Sequence, residues 1–216
     1  MSPRFAKRAE STQDHIAKAA LRLIEEHGAD DVSIPDVIKA MGITRAAMAR
    51  YCPADEDLWQ TTAEFIEKRM ADSWEAIRSN GESPAERLRA LLALQIGLIT
   101  SMPALREILF SRGLHGGNTA LRRGLCAVRG RFRVLLTETL RDGVIGGELP
   151  PDIDPEQTAR RLTEMLQGMI VSWSLDAPRE DMAVEMWARL DALVHTPGQP
   201  AIAAAGGAPP NEERGS

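Results

Sequence analysis

No apolar run in the chain reaches the roughly 18–20 residues that a helix needs to cross a bilayer. The longest candidate, Leu88 to Met102, is broken by Arg89, Gln95 and Gly97. The basic-then-apolar opening of a secretory signal is also missing, so a cytoplasmic location with no membrane partner is expected. Cysteine is scarce. Cys52 and Cys126 lie far apart, without the close cysteine or histidine spacing of a zinc site. Both are expected to be reduced, buried small residues; a redox-sensing pair is the other reading. The histidines (His15, His27, His115 and His195) are scattered, and His115 falls beside two glycines, where it reads as exposed rather than metal-binding. There is no glycine-rich phosphate loop and no nucleophile motif. The acid pairs Glu25-Glu26 and Asp30-Asp31 read as exposed charges near a helix end. Catalysis, a metal and a cofactor are therefore not expected.

Excess positive charge is absent too, since the formal net charge is −5 over 216 residues. The distribution carries more than the total. Residues 1–52 hold eight Lys/Arg against seven Asp/Glu, and the remainder holds eighteen against twenty-four, so the two parts net +1 and −6. Arg4, Lys7 and Arg8 form a basic arm ahead of the first acid, Glu10. The arm reads equally as a DNA contact or as a free tail.

Strand alternation and internal repeats are missing, whereas apolar spacing of three and four recurs throughout. The expectation is an all-α fold of nine helices. Ile16, Ala20, Leu23 and Ile24 line one face of the first helix, Ser11 to His27, with Ser11 as cap and Gly28 as stop. Ser33 caps a short second helix that ends at Gly42, and Thr44 caps a third, Arg45 to Tyr51. Ile43 and Met48 are spaced to close as a hydrophobic staple. Longer helices follow over Asp55–Ser79, Pro84–Ser101, Ala104–Phe110, Thr119–Asp142, Pro155–Leu175 and Arg179–Val194. The tail from Thr196, rich in Pro, Gly and Ala, is expected to be disordered. The predicted organisation is a DNA-binding domain over residues 1–54, a ligand-binding and dimerisation domain over 55–195, and a tail over 196–216.

The second and third helices carry the functional signal. They are joined by Met41-Gly42-Ile43-Thr44, and a glycine in so short a turn lets the third helix leave at a steep angle. Its N-terminal residues can then enter a major groove. Arg45 and Arg50 can meet guanine edges or phosphates, Ala46 and Ala47 permit close approach to a thymine methyl, and Tyr51 is also placed outward. Ser33 and Thr44 offer hydroxyls and helix-start amides suited to phosphate. The five arginines Arg122, Arg123, Arg129, Arg131 and Arg133 in the seventh helix read as a solvated face, not as a second nucleic-acid surface.

With these features in place, residues Ile16 to Leu58 resemble the DNA-binding domain of the TetR family of bacterial regulators. The matching residues are Ala19-Ala20 and Leu23, then Gly28, Val32-Ser33-Ile34, Val37-Ile38, Gly42-Ile43-Thr44-Arg45, Pro53, Glu56 and Leu58. Downstream, Leu105 to Phe110, Asp142-Gly143, Gly147-Glu148-Leu149, Asp152 and Asp154-Pro155-Glu156 look like segments common in the family's C-terminal domains. Three positions depart from the pattern. The family usually carries a phosphate-contacting tyrosine at Ala49, a core phenylalanine at Cys52, and a phosphate-contacting lysine at Asp55. Asp55 repels phosphate and is expected to cap the fourth helix instead. Tyr51 and Arg50 are the candidates to replace the missing phosphate contacts, and Trp59 to fill the space at Cys52.

The resemblance implies a repressor that binds a double-stranded, inverted-repeat operator as a homodimer. A helical adaptor that has kept the fold and lost operator binding is the alternative. The apolar stripes Leu162, Met165, Leu166, Met169 and Trp173, and Met182, Met186, Leu190 and Leu193, are expected to be left partly uncovered in one subunit. Gly168 would admit a close second helix, and two copies would form a four-helix interface. The resemblance also implies a small effector in the C-terminal domain. Phe65, Met70, Trp74, Leu92, Ile99, Met102, Phe110, Phe132, Leu135 and Met165 supply apolar, polarizable surface for an apolar or amphipathic one. The fourth helix, which leaves the third through Pro53, is the expected lever.

Overall fold

The computed structural model describes residues 11–111 and 119–175, and every regular element among them is helical. Eight α-helices are described: α1 (Thr12–His27), α2 (Ile34–Met41), α3 (Arg45–Ala49), α4 (Asp55–Arg78), α5 (Pro84–Ser101), α6 (Pro103–Phe110), α7 (Thr119–Ile145) and α8 (Pro155–Leu175). The expected ninth helix, the disordered tail, the basic arm, His115 and His195 lie outside the described residues. No single described helix is long and apolar enough to cross a membrane. The helices form two compact units. One combines residues up to Glu75 with Gly97–Gly130, and the other combines Ala76–Ile96 with residues from Arg131 onward.

In the first unit each short helix is stopped and started by its own sequence. The hydroxyl of Ser11 accepts the N–H of Asp14, and the Asp14 carboxylate accepts the N–H of Ser11, both at 3.1 Å. This reciprocal box satisfies two amides that the first turn of α1 leaves without helical partners. Gly28, at φ +87°, ends the helix. The expected stripe of Ile16, Ala20, Leu23 and Ile24 is buried. α1 packs against α2 and α6, and α2 packs against α3. Two polar ties reinforce α1. Lys68 of α4 sits 3.3 Å from Asp14, and the N–H of Ala104, in the first turn of α6, donates to Glu25 at 3.5 Å. Gly124 of α7 lies against Ala63 of α4 so closely that any Cβ at 124 would overlap the Ala63 methyl.

In the second unit the turn after α7 is docked on the start of α5. Glu148 accepts the N–H of Ala85 at 3.2 Å, and Arg87 donates to Asp142 at 3.1 Å. A Cβ on Gly143 would stand 2.7 Å from Leu149, whose side chain is buried. These contacts explain the Asp142-Gly143 and Gly147-Glu148-Leu149 pattern: glycine lets leucine in, and glutamate caps a neighbouring helix. α7 runs past the expected Asp142 to Ile145, and the N–H of Gly146 still donates to the carbonyl of Asp142 at 2.8 Å.

The expected α8 stripe is covered only in part by the chain itself. Leu162, Leu166 and Met169 are buried within the single chain and so serve the subunit's own core. Met165 is half-buried, and the Trp173 side chain lies outside the described residues. The exposed side of α8 instead carries Arg161, Glu164, Gly168 and Val171.

Candidate nucleic-acid interface

The turn between α2 and α3 is built on Gly42, which adopts φ +64° and ψ 27°. In this left-handed conformation the N–H of Gly42 donates to Lys39 and the N–H of Ile43 donates to Ile38, each at 3.3 Å. That pair of bonds is a Schellman closure, which satisfies the last carbonyls of α2 and turns the chain sharply. Two residues later Thr44 opens α3, its hydroxyl accepting the N–H of Ala47 at 3.1 Å. The distance from helix stop to helix start is thus set by local chemistry.

α3 is anchored by one side chain. Met48 is fully buried, while Arg45, Ala46, Ala49, Arg50 and Tyr51 are exposed and Ala47 is half-buried. Tyr51 keeps 42% of its surface in solvent, unusual for a large aromatic ring. Among the described residues no carboxylate pairs with Arg45 or Arg50, so both guanidinium groups keep their donors for an external acceptor. The helix ends at Ala49, two residues before the expected Tyr51. There the amides of Arg50 and Tyr51 turn to carbonyls only three residues back, at 3.4 and 2.9 Å, as the chain tightens towards Pro53.

Ser33 is less available than the sequence implied. Asp36 accepts its backbone N–H at 3.0 Å and also engages its hydroxyl. The hydroxyl and backbone bonds from Ser33 hold the Asp36 carboxyl below the usual aspartate range. Thr44 Oγ1 accepts a bond from its own helix, which leaves its O–H free to donate outward. The spacing of Ser33 and Asp36, like that of Ser11 and Asp14, is a capping box with aspartate in the usual glutamate place, and it was readable in the sequence.

The start of α4 differs from expectation. Asp55 is the first helical residue, and the carboxylate that caps the turn belongs to Asp57, which accepts the N–H of Ala54 at 2.8 Å. The reason is geometric: only a side chain three positions inside the helix reaches back to the cap amide. At the other departure, Cys52 is buried with its Sγ 3.6 Å from Thr61 Oγ1. Burial is the main cause that pushes its thiol up from the ordinary range; the Thr61 bond opposes the rise and Asp57 adds to it. The expected burial of Cys126 does not hold, because it is exposed on α7.

The candidate effector residues divide between the units. Phe65, Met70, Trp74 and Met102 belong to the first, and Leu92, Phe132, Leu135 and Met165 to the second. Met70, Trp74, Leu92 and Phe132 are buried, whereas Phe65, Met102, Leu135 and Met165 are half-buried. The side chains of Ile99 and Phe110 lie outside the described residues.

Comparison with known proteins matches residues 16–58 to the model of "Bacterial regulatory proteins, tetR family". Residues 84–197 match the model of "BetI-type transcriptional repressor, C-terminal". The chain is 25% identical over 189 residues to the HTH-type transcriptional regulator AcrR of Shigella flexneri, covering 83% of this chain and 85% of the relative. It is 21% identical over 168 residues to the nucleoid occlusion factor SlmA of Shewanella amazonensis, covering 78% and 85%. The crystal structure of the regulator FadR from Bacillus subtilis in complex with stearoyl-CoA superposes with a TM-score of 0.68 at 18% identity, over 83% of this chain and 96% of that one.

Proposed function

Since the chain belongs to the TetR family of bacterial transcriptional regulators, we propose that it is a cytoplasmic, ligand-responsive repressor that binds an inverted-repeat operator as a homodimer. The observation that carries this reading is α3. A fully buried Met48 holds a helix whose outward side carries Arg45 and small alanines, with the exposed Arg50 and Tyr51 directly after it. Small residues let the helix backbone approach the base edges, and the arginines supply bidentate donors to guanine or to phosphate. We assign Arg45, Ala46 and Ala47 to the groove, and Thr44, Arg50, Tyr51 and the amide end at Ser33 to the backbone. Residues 1–54 form the DNA-binding part, and residues 55–195 form the effector and dimer part.

The effector is proposed to be apolar or amphipathic. The buried Met70, Trp74, Leu92 and Phe132 supply polarizable surface, and the FadR neighbour was crystallised with stearoyl-CoA. An effector acts only if it binds the two DNA-binding geometries with different affinity. Dimerisation is assigned to α8 and the segment that follows it. The exposed Gly168 has nothing within 4 Å of its Cβ position, and Val171 beside it is 45% exposed.

A second reading has specific support. Ala49 and Asp55 replace two phosphate contacts that the family usually makes, and one relative is named as a nucleoid occlusion factor. In that reading the protein acts through protein partners, with operator recognition reduced or lost. A salt-titrated gel-shift with the purified protein separates the two. A repressor shows sequence-dependent binding that weakens linearly in log salt, and an adaptor shows none. Release from DNA by an acyl-CoA series checks the effector assignment.

A further inference from the structure

The family's usual lysine at the start of α4 is replaced by Asp55, and Glu56 and Asp57 follow it. Three carboxylates therefore occupy the first turn of the helix that leaves α3, where a DNA-binding head can least tolerate negative charge. The structure also shows what stands beside them. α7 crosses α4 with Gly124 pressed on Ala63. Arg123, the neighbouring residue, reaches Glu56 with Nη2 3.4 Å from Oε1. Glu56 and Ala63 are seven residues apart and so share one face of α4, two turns from each other. The Arg123 side chain accordingly runs from the crossing point along α4 towards the end that joins α3. It is 72% exposed and its carboxylate partner 60% exposed. Arg122 beside it is exposed as well and makes no ion pair among the described residues.

We propose that Arg122 and Arg123 of α7 form an auxiliary contact to the DNA phosphate backbone at the first turn of α4, taking the place of the cation that Asp55 removes. The proposal rests on the DNA-binding reading above and extends it to a helix that the sequence marked only as a solvated face. A guanidinium has five donors, and the bond to Glu56 uses a small part of them. An arginine already oriented by a carboxylate keeps its outer edge for phosphate, a geometry that lysine does not match. The tie to Glu56 has a second consequence: it screens one exposed carboxylate of the acidic turn from the phosphates.

The test is the salt dependence of binding to a fluorescent duplex of random sequence about three helical turns long, since phosphate contacts need no operator. Each phosphate contact contributes about 0.9 to the slope of log affinity against log salt. The double variant R122Q/R123Q is expected to lower the slope by between one and two and to weaken binding several-fold, with the melting temperature kept. Glu56→Gln is expected to tighten binding in the wild-type background and to do so less in R123Q, because part of its effect is the release of Arg123. An unchanged slope in R122Q/R123Q, alongside a reduced slope in Arg50→Ala, overturns the proposal and leaves the DNA-binding reading standing. A wild-type protein with no measurable affinity for the duplex at low salt overturns both.

Discussion

The N–H of Ile43 donates to the carbonyl of Ile38 at 3.3 Å, across a Gly42 held at φ +64°. This bond decides how α3 leaves α2. Gly42 has nothing within 4 Å of its Cβ position, so an alanine there meets no neighbour and bears only the left-handed backbone penalty. Gly42→Ala is expected to destabilise the protein by roughly 1–2 kcal/mol. Thermal unfolding reads the loss, and DNA affinity should fall more than stability does because the exit angle of α3 shifts.

The proposed DNA-binding role divides the exposed residues of and after α3 into two kinds of contact. Arg45 is proposed to read base edges, and Arg45→Ala should then cost about 1–3 kcal/mol on the preferred sequence while flattening base preference. Arg50→Ala and Tyr51→Phe should weaken binding to all sequences alike and reduce the salt slope. Competition binding against substituted operators measures both. Uniform loss in Arg45→Ala would move that residue to the backbone class.

The two thiols should behave differently. Cys126 is exposed and Cys52 is buried, so a thiol reagent should modify one cysteine quickly in the native protein and the second only on unfolding. Burial, the first cause, raises the folded-state value of Cys52. A raised acid is stabilising while protonated, so its contribution is complete below the ordinary thiol value of about 8.5 and is lost as pH rises through the folded value. Cys52→Ser should flatten the alkaline limb of the stability profile and leave the neutral region without that change of slope.

The α4–α7 crossing offers a packing test. Gly124→Ala puts a methyl into Ala63, and overpacking of this kind costs about 1–3 kcal/mol. Removing the opposing methyl should restore part of the loss, although glycine inside a helix itself costs about 1 kcal/mol. Ala63→Gly combined with Gly124→Ala is therefore expected to be more stable than the sum of the two single changes. Strict additivity in unfolding curves would mean that the helices do not meet at these residues.

The parts of the fold legible in the sequence are those fixed by near neighbours. Ser11, Gly28, Gly42 and Thr44 mark their helix ends through bonds spanning five residues or fewer, and Met48 is recognisable as the one apolar side of α3. The cap of α4 is Asp57 and not the expected Asp55, because only Asp57 stands three positions inside the helix, where its side chain reaches back to the cap amide. The ties between distant segments, Glu25 to Ala104, Lys68 to Asp14, Arg123 to Glu56 and Gly124 to Ala63, leave no local periodicity to read. Core and pocket are equally hard to separate from composition. Trp74 and Leu92 satisfy an apolar stripe in either role, and their burial does not by itself distinguish the two.

The central claim is that a pair of α3 helices reads DNA as a twofold unit. Selection of bound genomic fragments with the purified protein, at a salt concentration that suppresses non-specific binding, tests it most directly. The account predicts enrichment of one approximate inverted repeat whose half-sites lie on one face of the duplex, with the enrichment lost in Arg45→Ala. A set of fragments with no shared motif, recovered equally well by Arg45→Ala, would contradict it.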